Sequence, residues 1–461
     1  MSGSTALRGR QPGPAVTPAT PAHLTTARGA ALYTGALLGP GLLLLPGLAA
    51  AEAGPASVLA WAGLLALSAL FAAVFTGLGR GFPSAGGVIG YVTAGLGARL
   101  GLAAGRSFLA GVITGAPVVC LIGAGYVTDL TGGGQGARAA IAAFLLLAVL
   151  GLAAGGMRAS AAAQLLLVGV LTGVVAVAVA GSAGSARAGN WAPFAPHGWL
   201  AVGHAAATLM LSFVGWEAVA PLTTRFADPA RQLPRAVAIT LAVTTVLYLG
   251  LAVATIGVLG PGAATLTPLA SLLRLAIGPA GTAAAAAAAV VLTLGTTNAY
   301  INGAAAMARR LSPHRVAAAG TPPAAGGEAG RPAGLFLAIA MSGLLLITLY
   351  GLGLVSPAAL VAIPTTLFLA VYLGSMLAAA RVLRGPARWA AVPATAAVVV
   401  MLAYCGWALV VPAAIAVASQ RVWIHSSVEV TRAWRGKTFS SRTRCTSGSR
   451  SAQASARTVS R

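Results

Sequence analysis

Residues 35–54 read GALLGPGLLLLPGLAAAEAG, a run that is long and apolar enough to cross a membrane as a helix. Gly39, Pro40, Gly41 and Pro46 interrupt this run, because glycine weakens a helix and proline removes a backbone donor. Irregular backbone at membrane depth is tolerated only where it is buried in protein or lines a cavity. The stretch therefore predicts a discontinuous membrane helix, and such helices occur in matching places of two halves around a binding site.

The composition predicts a membrane protein with many spans. Of the 461 residues, 58% are hydrophobic and 8% are charged, and apolar runs recur between residues 30 and 419. These runs lack the apolar/polar alternation of a membrane β-barrel, so we expect an all-α integral membrane fold. About twelve transmembrane helices are predicted, at residues 30–53, 56–79, 103–127, 138–156, 159–181, 202–224, 236–259, 279–307, 334–352, 357–380, 388–404 and 406–419.

The basic residues predict the orientation of the chain. With the N-terminus inside, seventeen arginines of the N-terminal tail and short loops are cytoplasmic, whereas only Arg138, Arg187 and Arg274 are outside. This bias places both termini in the cytoplasm. We expect a cytoplasmic N-terminal tail at 1–29, a transmembrane domain at 30–419 and a basic Ser/Arg-rich cytoplasmic tail at 420–461. The two tails and the cytoplasmic loops account for the net charge of +23, so we do not expect nucleic-acid binding, and the basic tail is either solvated or in contact with the headgroups of membrane lipids.

A second break is expected in the sixth span, which reads LMLSFVGWEAVAPLTT at residues 209–224. Gly215 lies in its middle and Pro221 follows six residues later. Counted from the span that contains each break, spans 1–5 form one unit and spans 6–10 form a second. Because five is an odd number, the two units enter the membrane with opposite orientations. The sequence therefore predicts a 5+5 inverted repeat with broken helices 1 and 6. The alternative is that these glycines and prolines only kink closely packed helices.

Catalytic motifs are missing from the chain. Cys120, Cys405 and Cys445 are scattered and form neither a disulfide framework nor a metal-ligand pattern. There is no nucleophile elbow, zinc-binding helix motif or phosphate loop, and six acidic residues leave little for hydrolysis. We therefore expect a protein that is not an enzyme and needs no cofactor.

Several stretches resemble the amino acid-polyamine-organocation superfamily of transporters. LLGPGLLLLPG (37–47) resembles its broken first helix, GFPSAGGVIGYV (81–92) the loop after its second span, and SFVGWEAVAPLTTRFADPARQLPRAV (212–237) its sixth helix. Within the superfamily, PSAGGV, FVGWEA and TNAYIN are most similar to bacterial exporters of methionine and branched-chain amino acids.

This resemblance implies a secondary active transporter of small, hydrophobic amino acids in a bacterial-type cytoplasmic membrane, working by alternating access. Export is the direction that the finer likeness favours. An importer or exchanger of amino acids or amines is a second hypothesis. A non-transporting membrane sensor with the same fold is a third, since it would keep the helices and lose the site.

The resemblance also implies which residues bind the substrate. In the superfamily, backbone N–H groups of the first break bind the carboxylate, while carbonyls and a bulky side chain of the sixth span bind the rest. The matching positions are Gly39, Pro40, Gly41, Phe213, Gly215 and Trp216. Pro40 departs from the pattern because it has no N–H. Carboxylate binding must therefore depend on Gly41, on Leu42 or on another group.

Polar residues within the spans are the remaining candidates. Glu217 lies beside the second break, where a charged side chain costs about 2.5–3.5 kcal/mol unless it is paired or faces water. It is a site of proton coupling, a polar clamp, or a neutral acid bonded to freed backbone. Asn298 and Asn302 share one helical face and either line the pathway or bond neighbouring helices. The expected coupling ion is a proton, and the oligomeric state is open.

Overall fold

The computed structural model describes residues 24–39, 41–82, 87–156, 161–219, 226–311 and 333–419. The expectations for residues 1–23, Pro40, Pro221 and the basic tail from residue 420 lie outside the described residues. Within the described ranges the chain is helical apart from turns, loops and one isolated β-bridge between Leu24 and Phe226. The predicted all-α membrane fold is confirmed.

Helices of the first half run from the N-terminal side to the loop before the sixth span. They are α1 Thr26–Leu37, α2 Gly41–Ala53, α3 Ser57–Gly81, α4 Val88–Leu96, α5 Ala98–Thr131, α6 Gln135–Ala154 and α7 Ala161–Ser182. Helices of the second half begin with the sixth span. They are α8 Leu200–Leu209, α9 Trp216–Val219, α10 Pro229–Leu259, α11 Pro268–Ile277, α12 Pro279–Leu311, α13 Ala333–Gly351, α14 Pro357–Val382, α15 Pro386–Tyr404 and α16 Gly406–Ser419.

Nine helical stretches of the described chain are long and apolar enough to cross a membrane, and three shorter apolar helices accompany them. One long stretch, Gly41–Gly81, contains both α2 and α3, which meet at a 3₁₀ turn, Gly54–Ala56. Each of the twelve predicted spans has a helical counterpart. The sequence missed two short helices between spans, α4 and α11, because neither is long enough to cross the membrane.

The first predicted span is broken as expected, with α1 ending at Leu37 and α2 beginning at Gly41. Two details differ from the prediction. Helix α1 begins at Thr26, inside the predicted tail, and the Thr25 hydroxyl accepts a capping hydrogen bond from the Arg28 N–H. Pro46 lies inside α2 and does not end it. A helix accommodates such a proline where neighbouring helices and local adjustment satisfy the freed backbone.

The described helices pack closely against one another, and α5 contacts several of them. Helix α5, 34 residues long, packs against α4, α6, α12, α13 and α14. Small residues let helices approach closely: a Cβ atom on Gly95 of α4 would lie 2.5 Å from Cα of Ala378 in α14. The largest buried side chains include Trp61 and Trp216. The aromatic core therefore lies beside the second break.

Candidate functional site

The two breaks touch each other through glycine. A Cβ atom on Gly41 would lie 2.8 Å from the Ser212 hydroxyl oxygen, and a Cβ atom on Gly215 would lie 2.4 Å from the Ala36 carbonyl oxygen. Gly215 also has φ +148°, a conformation that other residues rarely adopt. Only glycine allows this close contact between the irregular segments of α1–α2 and α8–α9.

The second break is a change of backbone conformation over a few residues. Helix α8 ends at Leu209, a 3₁₀ turn covers Met210–Phe213, and Val214 is extended before Gly215. The carbonyls released by this unwinding need partners, because they lie away from water. Tyrosine hydroxyls from three other helices, α10, α12 and α14, supply them.

Tyr248 of α10 lies between the two breaks. Its hydroxyl oxygen is 2.7 Å from the Leu37 carbonyl oxygen and 2.9 Å from the Ser212 carbonyl oxygen. A phenolic hydroxyl carries one proton and can donate fully to only one of them. An ammonium group, with three donors, could serve both carbonyls at once.

Tyr372 of α14 connects the second break to Glu217. Its hydroxyl oxygen is 2.7 Å from Oε2 of Glu217 and 3.2 Å from the Phe213 carbonyl oxygen. It also accepts hydrogen bonds from the backbone N–H groups of Gly215 and Trp216, both at 3.2 Å, and Gly215 N–H bonds Glu217 Oε2 at 2.9 Å. Because Tyr372 has one proton to donate, Glu217 and the Phe213 carbonyl compete for it.

Trp216 is fixed by α3 at the start of α9. Its indole Nε1 donates to the Ser68 hydroxyl at 2.7 Å, and the side chain is fully buried. The rings of Phe71 and Phe75, also on α3, contact the Tyr372 ring edge-on at 4.8 and 5.2 Å. Helix α3 therefore holds both the tryptophan and the tyrosine of the second break in place.

Three aromatic rings cover the junction of the two breaks. Trp61, Phe213 and Tyr248 contact one another with centroid distances of 6.0, 5.2 and 5.3 Å. Within this apolar surrounding, the Trp61 Nε1 and the Ser212 hydroxyl are buried and have no hydrogen-bond partner among the described residues. Unpaired buried polar groups are uncommon in folded proteins and are candidates to bind a ligand or water.

The predicted carboxylate donors of the first break differ in whether a described residue already accepts their hydrogen bond. The Gly39 N–H bonds the Leu37 carbonyl at 2.8 Å, and the Leu42 N–H bonds the Gly39 carbonyl at 3.2 Å. Gly41 N–H makes no hydrogen bond to a described residue. Of the predicted carboxylate donors, Gly41 is thus available, Leu42 is engaged within the break, and Pro40 lies outside the described residues.

The two candidate asparagines of α12 bond each other. Asn302 donates from Nδ2 to the Asn298 carbonyl at 2.8 Å and to its side-chain oxygen at 3.0 Å. Tyr300, between them in sequence, donates to the Val214 carbonyl at 3.4 Å and so reaches the second break. Sequence reasoning missed Tyr300, as well as Tyr248 and Tyr372. The available signal was a tyrosine inside an apolar span, whose buried hydroxyl needs a partner.

Comparison with known protein families shows to which family the chain belongs. A sequence model described as "Amino acid permease" matches residues 24–426. The chain belongs to the amino acid permease family. This permease is similar to the uncharacterized amino acid permease YecA of Bacillus subtilis, with 30% identity over 402 residues that cover 86% of this chain and 94% of YecA. It is also similar to the L-methionine/branched-chain amino acid exporter YjeH of Escherichia coli, with 34% identity over 209 residues, 43% of this chain and 47% of YjeH.

A solved structure has the same arrangement of helices. The permease matches a mutant of the Eremococcus coleocola manganese transporter with a TM-score of 0.54, over 88% of this chain and 94% of that one. The sequence identity is 12%, so the likeness concerns the fold alone. Together with the apolar helices, family membership identifies a multi-span membrane transport protein.

Proposed function

We propose that this permease is a secondary active transporter of small, hydrophobic amino acids that works by alternating access around its two broken helices. The observation that carries the proposal is the contact of the breaks, Gly41 against Ser212 and Gly215 against Ala36. A contact of this kind concentrates freed backbone groups from two discontinuous helices at one point, where transporters bind substrate near the middle of the membrane.

The groups at the contact match the three parts of a hydrophobic amino acid. Gly41 N–H, at the start of α2, is suited to the carboxylate because helix N-termini favour anions. The Leu37 and Ser212 carbonyls, which share the single proton of Tyr248, are suited to the ammonium group. Trp61 and Phe213 offer the apolar surface for the side chain.

The environment of Glu217 supports proton coupling. While Glu217 is ionised, it takes the Tyr372 proton at 2.7 Å. A protonated Glu217 that donates to Tyr372 would turn the Tyr372 proton toward the Phe213 carbonyl, 3.2 Å away. Proton binding would thereby change the hydrogen bonding of the second break, which is the link that coupled transport needs. If Glu217 were only a structural residue that never exchanges its proton, it would make the same contacts.

Export is the proposed direction, across a bacterial-type cytoplasmic membrane with both termini in the cytoplasm. The support is the likeness to an exporter of methionine and branched-chain amino acids. Uptake of labelled methionine, leucine, arginine or putrescine into everted and right-side-out membrane vesicles tests direction and substrate together. We expect methionine or leucine to accumulate in everted vesicles when a proton gradient is applied.

Each other outcome of the vesicle experiment selects a different hypothesis. Accumulation in right-side-out vesicles would reverse the direction and favour an importer. Preference for arginine or putrescine would refute the hydrophobic substrate class. No transport of any of the four in either geometry would favour a sensor, a role that the loss of the N–H at Pro40 would suit.

A further inference from the structure

A small cavity with one charged wall residue, Arg138, lies outside the contact between the two breaks. It is near the end of the bundle where α5 connects to α6. The cavity has a volume of about 30 Å³ and reaches from Leu44, three residues after Gly41, to Arg138 near the start of α6. Charge distribution predicts that this end faces outward. We call this cavity the Arg138 cleft; its other walls include Ile122, Leu266, Tyr350 and Leu360.

Arg138 supplies the positive charge of the cleft. Its Nε donates to the Thr128 hydroxyl at 3.3 Å and its Nη1 donates to the Tyr350 hydroxyl at 3.2 Å. The guanidinium lies against α5 at Gly125, where even a Cβ atom would be 3.5 Å from its carbon Cζ. Both hydroxyl partners are neutral, so they orient the guanidinium without cancelling its charge.

Among the described residues, Arg138 has no acidic partner within ion-pair distance. Asp129, on the same end of α5, is exposed to solvent and makes no ion pair with it. Arg138 is half-buried near the start of α6, and a charge that is partly removed from water without a counter-ion is unfavourable unless water or an anion pairs with it. Oriented by two hydroxyls and facing a cavity, this guanidinium is prepared to bind an anion.

The rest of the cleft restricts which anion fits. Leu44, Ile122, Leu266 and Leu360 are apolar and surround the space next to the guanidinium. A small inorganic anion would contact the guanidinium but not the apolar walls. A carboxylate with an apolar tail would contact both the guanidinium and the walls. We propose that the Arg138 cleft binds the carboxylate of a short, apolar amino acid on its way between the breaks and the end of the bundle that carries Arg138.

The volume of the cleft agrees with a closed state of this path. About 30 Å³ holds roughly two water molecules and not an amino acid. Binding of an amino acid therefore requires the walls of the cleft to move apart; Leu266, a half-buried wall residue, lies in the connection before α11. The place of the cleft on a transport path depends on the proposed function, but carboxylate binding by Arg138 does not.

A cysteine at the rim of the cleft tests this binding without measuring transport. Leu266→Cys is made in the full-length protein after Cys120, Cys405 and Cys445 have been replaced by alanine. The purified protein is treated with N-ethylmaleimide, a neutral reagent whose approach the Arg138 charge does not steer. We expect leucine and 4-methylpentanoate to slow the labelling, and isopentylamine at the same concentration to leave the rate unchanged.

Arg138→Gln in this background should raise the concentration of 4-methylpentanoate needed for half protection by about tenfold or more, because a charge-assisted hydrogen bond is lost. Arg274→Gln is the matched control, since Arg274 also belongs to the predicted outer side but is exposed and lies outside the cleft. It should leave protection unchanged.

Three results would overturn the proposal: no protection by 4-methylpentanoate while Arg138 is intact, equal protection by isopentylamine, or unchanged half protection in Arg138→Gln. If Arg138→Gln does not fold, the comparison of carboxylate with amine on the intact cleft still decides. Protection without transport in vesicles would refute the proposed function alone. Transport without protection would refute the carboxylate site alone.

Discussion

A Cβ atom on Gly215 would lie 2.4 Å from the carbonyl oxygen of Ala36. The backbone of the second break is thus in direct contact with the last turn of α1, and the φ angle of +148° at Gly215 permits the approach. Neither broken helix can slide along the other without separating this contact. Any sliding of one broken helix along the other must therefore open the contact between Gly215 and Ala36.

Replacing Gly215 by alanine should disrupt the junction. The methyl group meets a backbone atom, which cannot turn aside, and the backbone conformation is itself strained for alanine. We expect a loss of stability of about 2 kcal/mol or more, seen as a lower midpoint in thermal denaturation of the detergent-solubilised protein. Gly63→Ala is the control, because a Cβ atom there meets nothing within 4 Å. Equal midpoints for the two variants would contradict the close contact.

Tyr248→Phe should lower the stability of the substrate-free protein more than that of the substrate-bound protein. It removes the hydroxyl between the Leu37 and Ser212 carbonyls, so the empty state loses a buried hydrogen bond worth about 0.5–1.5 kcal/mol. A bound ammonium would satisfy the same carbonyls. We therefore expect a lower thermal midpoint without substrate and a larger upward shift when leucine or methionine is added.

Tyr126→Phe is the matched control for this experiment. Its buried hydroxyl donates to the Leu43 carbonyl at 2.7 Å, inside α2 and beyond the break. This variant should lose stability as well, yet show the same substrate-induced shift as the unmodified protein. A substrate-induced shift that falls in Tyr248→Phe would mean that the hydroxyl itself binds substrate, and the ammonium assignment would be wrong.

Glu217→Gln should distinguish proton exchange from a static clamp. Glutamine preserves the size and hydrogen bonding of the side chain and cannot titrate. If Glu217 couples transport to protons, the variant folds and performs counterflow, which needs only the loaded carrier to reorient, but loses the response of net transport to a pH gradient. Glu52→Gln is the control, because Glu52 accepts its hydrogen bond from Thr208 on the last turn of α8 and not from the groups around Gly215. Retention of the full pH response in Glu217→Gln would leave Glu217 as a clamp.

The breaks could be predicted from the sequence because glycine and proline encode them locally. Gly41 and Gly215 mark their places within two long apolar runs. Helix α10 shows the same local encoding at its start, where Asp228 caps the Arg231 N–H and Pro229 occupies the first turn. Such features depend only on residues that are neighbours in the chain, so they can be predicted from a single sequence.

The partners of the breaks could not be predicted in the same way. Tyr248 is 211 positions from Leu37, and Tyr372 is 155 positions from Glu217. In an apolar span, hydrophobic periodicity is weak, since lipid and protein interior are equally apolar. Nothing local therefore indicates which face of α10 or α14 is turned toward the breaks. The engagement of the Leu42 N–H by Gly39 likewise depends on the three-dimensional path of the break.

Both ends of the chain are expected on the cytoplasmic side, and contacts at the ends of the described chain support one common side. Leu24 forms a β-bridge with Phe226, in the connection between α9 and α10, which contains Arg225. The Arg106 guanidinium donates to the Ser419 hydroxyl at 3.1 Å, which brings the end of α16 beside the first part of α5. An even number of spans returns the chain to its starting side, and the bias of basic residues predicts that this side is cytoplasmic.

Single cysteines test this orientation in a background without the three native cysteines. We expect Arg10→Cys and Ser440→Cys to resist a membrane-impermeant maleimide in intact cells and to react after permeabilisation. Arg274→Cys, on the predicted outer side, should react in both conditions and confirms that the reagent reaches exposed sites. Labelling of Ser440→Cys in intact cells would require an odd number of spans. Residues 388–419 would then form one long, tilted helix, in conflict with the turn between α15 and α16 and with the Arg106–Ser419 contact.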